Sequence, residues 1–196
     1  MKTLTLILAL ATTSCFSQTR VDSLILDRVN SYRAEYGLPP MQFNQKLMKV
    51  AENQAEYASK LRMIRHDQEL DAPGFDEEPN FSERYRREGI DTLGSCSIRM
   101  EVLAGVLDTS TVSDEVGREL SDEEIADMTI AVWKASPEHD KAIRIRQLVE
   151  VGISVQVGES LVEYFEDLET FEMVEKVTLG PVYFVSLNSA TEDGCH

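Results

Sequence analysis

The sequence predicts an α+β protein in which helices cover an antiparallel sheet. Three observations predict it. Apolar residues recur every three or four positions over 22–36, 45–62 and 121–136, as on the buried face of a helix. Beyond residue 150 the pattern changes to β-branched and aromatic runs with a period near two, as in strands. Helices followed by a strand-rich end suit a sheet that hides its apolar face beneath helices.

The first element is a leader. Lys2, the apolar run Leu4 to Ala11 and the small residues Cys15 and Ser17 have the layout of a secretory signal peptide, residues 1–17, cleaved before Gln18. The run is too short to span a bilayer, and no other stretch approaches that length. The alternative is a lipoprotein acylated at Cys15. The expected location is therefore the periplasm or the medium, or a membrane surface if Cys15 carries lipid. Residues 18–196 suffice for one domain with its own core, expected over about 22–187, and show no repeat or low-complexity linker.

The first helix, 22–36, places Leu24, Ile25, Val29, Tyr32 and Tyr36 on one side and stops at Gly37, Pro39 and Pro40. The second, 45–62, repeats the pattern through Leu47, Val50, Ala51, Gln54, Ala55, Ala58 and Leu61, with charges opposite. Asp67 to Asn80 reads as an acidic loop because it holds Pro73, Gly74 and Pro79, and a poorly periodic region follows to Gly94. The third helix begins at Ser121, which with Glu124 has capping-box spacing, and carries Ile125, Met128, Val132 and Trp133. It ends near Ser136, and Pro137 starts a short helix through His139, Ala142 and Ile143. Strands are expected at 151–157, 160–165 and 182–187, and the acidic 159–175 segment reads as a strand and hairpin.

The whole chain has 35 acidic and 19 basic residues, a net charge of −16; loss of the leader removes one lysine and no acid, leaving −17. Such a balance argues against nucleic acid and anionic lipid as partners, which need clustered Lys and Arg. It suits a solvated extracellular surface with weak attraction for divalent cations. Without Cys15, Cys96 and Cys195 remain, and an oxidising compartment favours their pairing. Closing a loop of roughly 100 residues would contribute about 4 to 5 kcal/mol in the chain-entropy model. Sequence leaves the pairing open, because the Cα separation decides it.

Of the three histidines, His196 ends the chain, so imidazole chemistry falls to His66 and His139. Two neutral imidazoles and one carboxylate can hold Zn²⁺ or another divalent cation and leave a position for water. No HExxH pair or GxSxG turn accompanies them, and Cys96 between Ser95 and Ser97 has no catalytic setting. Trp133 belongs to an apolar stripe and reads as core that positions His139.

Four blocks resemble the CAP superfamily, the cysteine-rich secretory, antigen and pathogenesis-related proteins, in its bacterial form. They are Asn30, Arg33, Gly37, Leu38 and Pro39; then Leu47, Ala51, Ala55 and His66; then Glu101, Leu103 and Gly105, similar to a glutamate-bearing turn; and finally Trp133, Ser136, Pro137, His139 and Ile143 with Val151, Gly152 and Ile153. The resemblance implies a three-layer α-β-α sandwich around a central antiparallel sheet, with a cleft lined by two histidines and two glutamates. His66, Glu101 and His139 would supply three of those four. Ser136 stands where the second glutamate is expected, three residues after Trp133, with Glu138 and Asp140 as neighbouring carboxylates. Met100 and Val102 replace the usual glycine and asparagine around the glutamate. The expected function is a secreted, monomeric binding module for a small apolar ligand or an extracellular macromolecule. The alternatives are a metal-dependent, peptidase-like hydrolase using the same cleft and a non-catalytic structural or interaction module.

Overall fold

A computed structural model describes residues 19–68, 80–90, 98–108, 118–166 and 173–191. The leader, Cys15, Cys96, Cys195, His196, most of the acidic loop after Asp67 and the tip of the acidic hairpin lie outside these residues. The elements are α1 (Arg20–Glu35), β1 (Gln42–Phe43), α2 (Gln45–Leu61), α3 (Phe81–Arg87), β2 (Arg99–Val106), α4 (Asp122–Ala135), α5 (Pro137–Ile143), β3 (Glu150–Glu166) and β4 (Met173–Ala190). The sheet order is β1-β3-β4-β2, with β1 parallel to β3 and the other pairs antiparallel.

Helices pack on both faces of the sheet, which gives the three-layer α-β-α sandwich. On one face α1, α4 and α5 bury Ile25, Val29, Ile125, Trp133 and Ile143 against Val102, Ala104, Val151, Ile153, Val185 and Leu187. On the other face α2 and α3 lie over residues of opposite parity, where Ser154, Ser186 and Asn188 are buried beside smaller clusters around Leu47, Tyr85 and Phe184. One face is thus an apolar core and the other includes a polar layer.

Local chemistry explains the helix ends. Ser121 and Glu124 form the expected capping box on α4. Pro137 occupies the first turn of α5, where its missing N–H costs nothing. Gly152 is required by close approach: a Cβ there would lie 2.0 Å from the Leu47 carbonyl of α2. Asn30 exchanges two hydrogen bonds with the Met41 backbone, at 3.0 and 2.7 Å. Arg33, fully buried, donates to the carbonyls of Pro39 (3.0 Å), Ile143, Ile145 (3.0 Å) and Leu148 (2.9 Å). This pair of α1 residues fastens both the turn after α1 and the chain leaving α5.

Three details differ from the sequence expectation. The expected strands 151–157 and 160–165 are one strand, β3, because a bulge between Gly158 and Ser160 lets pairing with β4 continue. The block around Glu101, expected as a turn, is strand β2, paired from Arg99 opposite Ala190 to Val106 opposite Tyr183. It is buried on both faces over much of its length, so its sequence does not alternate. The poorly periodic region holds α3, whose N-cap is Asn80.

Candidate functional site

Glu101 projects from β2 toward the polar layer and is buried. Its Oε2 accepts a hydrogen bond from Arg84 Nη2 at 2.7 Å, and its Oε1 accepts one from His66 Nδ1 at 2.9 Å. A carboxylate only accepts, so the proton of neutral His66 sits on Nδ1 and its Nε2 is left as the acceptor. Arg84 and Glu101 are 2 % and 1 % exposed in their side chains, whereas the His66 ring is half-exposed. The site is therefore a buried ion pair with an imidazole at its mouth.

Each partner is placed by its element. His66 follows α2, whose last turn closes on Arg62 in the left-handed region at φ 60°. Arg84 lies in the middle of α3, held down by Phe81 and Tyr85, whose ring centroids lie 4.8 Å apart with the planes tilted by 53°. The Tyr85 hydroxyl donates to Met100 O at 2.8 Å, with Asn188 Oδ1 at 3.1 Å, which seats α3 on β2 and β4 beside Glu101. Gln54 of α2 donates to the Arg65 carbonyl and accepts from Gln68 Nε2 at 3.0 Å, bracing the segment that carries His66.

His139 arrives from α5, in the opposite helical layer, which touches β2. It shares an electrostatic environment with His66. Burial pushes its pKa below the usual imidazole value, and the charge of His66 adds to that shift. For His66 the hydrogen bond to Glu101 dominates and raises the pKa, against the opposing cost of burial. The two imidazoles are thus driven apart in basicity. His139 Nδ1 is buried and has no hydrogen-bond partner among the described residues.

Ser136 serves as the C-cap of α4 and the N-cap of α5, its hydroxyl accepting from His139 N at 3.5 Å. Asp140 is committed elsewhere, its two oxygens taking the Tyr32 hydroxyl and Arg144 Nη2. Glu138 is exposed on the first turn of α5 and acts on His139 only through its charge. Trp133 is fully buried and donates from Nε1 to Leu103 O at 3.1 Å, which fixes α4 against β2.

Among the described residues no three His, Cys, Asp or Glu side chains are grouped closely enough to hold a metal ion. The state of the Glu101 carboxylate bears on the same point. Both oxygens of Glu101 are engaged, one by a guanidinium, and a cation beside the carboxylate disfavours a second cation there. Among the described residues, His66, His139 and Glu101 thus do not form a preassembled metal site. The sequence reading missed Arg84; its signal was Asn80 three residues before Glu83, with Phe81 and Tyr85 four apart, which together mark a short capped helix.

The model of the Cysteine-rich secretory protein family (CAP) matches residues 26–166. Among solved structures, the chain is similar to an outer surface protein from Borrelia burgdorferi, at 15% identity and TM-score 0.51, over 90% of this chain and 97% of that one. It is also similar to an extracellular protein containing an SCP domain from Bacillus anthracis, at 15% identity and TM-score 0.53, over 88% of this chain and 40% of that one. At such identities the likeness speaks for the fold. No curated protein matches the sequence.

Proposed function

Because the chain belongs to the cysteine-rich secretory protein (CAP) family, we propose that it acts outside the cytoplasm as a binding module, taking a small apolar ligand or an extracellular macromolecule at the cleft of His66, Glu101, His139 and Ser136. The observation that carries this reading is the engagement of both Glu101 oxygens, one by the Arg84 guanidinium and one by His66. Each oxygen of this buried carboxylate already accepts a hydrogen bond, and the Arg84 guanidinium beside it disfavours a second cation there and its use as a proton acceptor. The half-exposed ring of His66 and the less basic, partly buried ring of His139 would donate and accept the hydrogen bonds to such a ligand.

The competing reading is a metal-dependent hydrolase. It draws on the His66–Glu101 pair, since a carboxylate behind an imidazole also orients a general base or a zinc ligand. Calorimetric titration with Zn²⁺ and Ca²⁺, at one pH on either side of the ordinary imidazole pKa of roughly 6.5, separates the two. The binding-module reading expects weak Zn²⁺ binding, weaker still at the lower pH, and no hydrolysis of peptide or ester panels above background. Robust metal-dependent turnover, removed by His66→Ala or His139→Ala, would overturn it.

A further inference from the structure

Beyond the bulge at Gly158/Ser160, β3 and β4 leave the rest of the sheet and continue as a two-stranded arm, from Ser160 opposite Leu179 to Glu166 opposite Met173. β2 does not accompany them, since its pairing with β4 ends at Tyr183. The alternate pairs Ser160/Leu179, Val162/Val177 and Tyr164/Glu175 share one face of the ribbon, and Met173 continues the row along β4. On that face Met173, Leu179 and Tyr164 are 66%, 55% and 52% exposed, and Val177 is exposed as well. A row of large apolar side chains in water is the mark of an interaction surface.

The arm is moored. Val162 N donates to the Arg62 carbonyl at 2.7 Å, and Arg62 Nη1 donates to Ser160 Oγ at 3.4 Å, so the end of α2 holds its root. At the root lies an open cavity of about 480 Å³ bordered by Glu119, Val157, Glu159 and Pro181. Glu119 and Glu159 are both exposed, so acid rims an apolar hollow.

Charge decides the occupant. Residues 157–179 contain seven acids and one lysine. Two copies of the arm would bring like charges together, and an anionic lipid surface would be repelled. We infer that the arm is a docking surface for an extended basic polypeptide segment, whose apolar residues cover Tyr164, Met173, Val177 and Leu179 while its Lys or Arg side chains meet carboxylates such as Glu175 on that face and Glu159 at the root. The surface is separate from the histidine cleft: Leu179 lies nine residues along β4 from Asn188, the partner of Glu101, about 30 Å at strand rise.

The test uses the mature protein and three labelled synthetic peptides of equal length, alternating Lys–Val, Glu–Val and Lys–Gly, followed by fluorescence anisotropy. The Lys–Val peptide should bind at least tenfold more tightly than either control, and its affinity should fall as salt rises. Met173→Ser with Leu179→Ser should weaken it at least tenfold, and Glu159→Gln with Glu175→Gln severalfold. All four residues are exposed, and unchanged circular dichroism verifies each fold. Equal binding of the three peptides would overturn the inference, as would full binding by both double variants. A concentration-dependent dimer, abolished by Met173→Ser with Leu179→Ser, would assign the face to a second copy instead and also overturn it.

Discussion

Arg84 and Glu101, from a short helix and from a strand, meet at 2.7 Å in a setting from which both side chains are almost wholly excluded from water. Such a pair contributes little net stability compared with an apolar pair, but loss of one member strands the other charge. Arg84→Met should therefore destabilise the protein by about 3 to 5 kcal/mol. Adding Glu101→Leu should restore much of the loss, because the stranded carboxylate is then gone. Urea melts of the single and double variants check both values, and an additive double variant would refute the pairing.

The two histidines should titrate on opposite sides of the ordinary imidazole value. The hydrogen bond to Glu101 raises the His66 pKa, whereas burial, then the charge of His66, lowers that of His139. For His66 the sign means stability that is complete below the unfolded pKa of roughly 6.5 and lost as pH rises through the raised folded value. For His139 it means stability present above roughly pH 6.5 and lost as pH falls through the depressed folded value. NMR titration of the ring protons should give His66 the higher midpoint. Glu101→Gln should pull that midpoint down, and an unmoved His66 would disprove the coupling.

Ser136→Glu should turn a poor metal site into a better one. It places a carboxylate on the turn that leads to His139, at the cost of a cap of about 1 kcal/mol. Zn²⁺ affinity by calorimetry should rise at least tenfold, and His139→Ala in the same background should cancel the gain. No change in affinity would show that residue 136 does not face the imidazoles.

Gly152→Ala should be among the most damaging single-methyl changes in the chain. The added Cβ would meet the α2 backbone at Leu47 and Met48, which cannot swing aside as a side chain could. A loss at or above about 3 kcal/mol, the upper end of ordinary overpacking, is expected in thermal or urea melts. A variant as stable as the parent would mean that α2 shifts freely on the sheet.

Cys96 and Cys195 should form a disulfide in secreted material. Thr191 N donates to Ile98 O at 3.1 Å, so the described chain brings together two points only two and four residues from the cysteines. Non-reducing intact mass should be two hydrogens lighter than the reduced form. Reactivity of both thiols toward iodoacetamide without reductant would contradict the pairing.

Where one period governed a segment, the fold was legible. α2 shows a single apolar face, and Ser121, Glu124 and Pro137 mark helix starts by chemistry that acts within one turn. β2 was not legible as a strand because burial on both faces erases alternation, and α3 is too short for a period. At the site, the residue types His66, Glu101 and His139 were visible, and the hydrogen bond between the first two joins segments 35 residues apart. Their division of labour was not visible. It depends on Arg84, a long-range partner that no local pattern announces.

The asymmetry of the two helical layers extends to how the molecule opens. Where the sheet meets α1, α4 and α5, separation would expose the continuous cluster around Ile25, Trp133, Ile153 and Leu187, so those amides should exchange with solvent only on global unfolding. Where it meets α2 and α3, smaller apolar clusters share the interface with Arg84, Glu101, Ser186 and Asn188, which water can solvate. That layer should lift in a partial opening of lower free energy, carrying His66 and Arg84 away from Glu101 while α5 keeps His139 in place. The two imidazoles should thus ride on parts of the protein that open at different rates, which hydrogen exchange of the α2 and α5 amides would read.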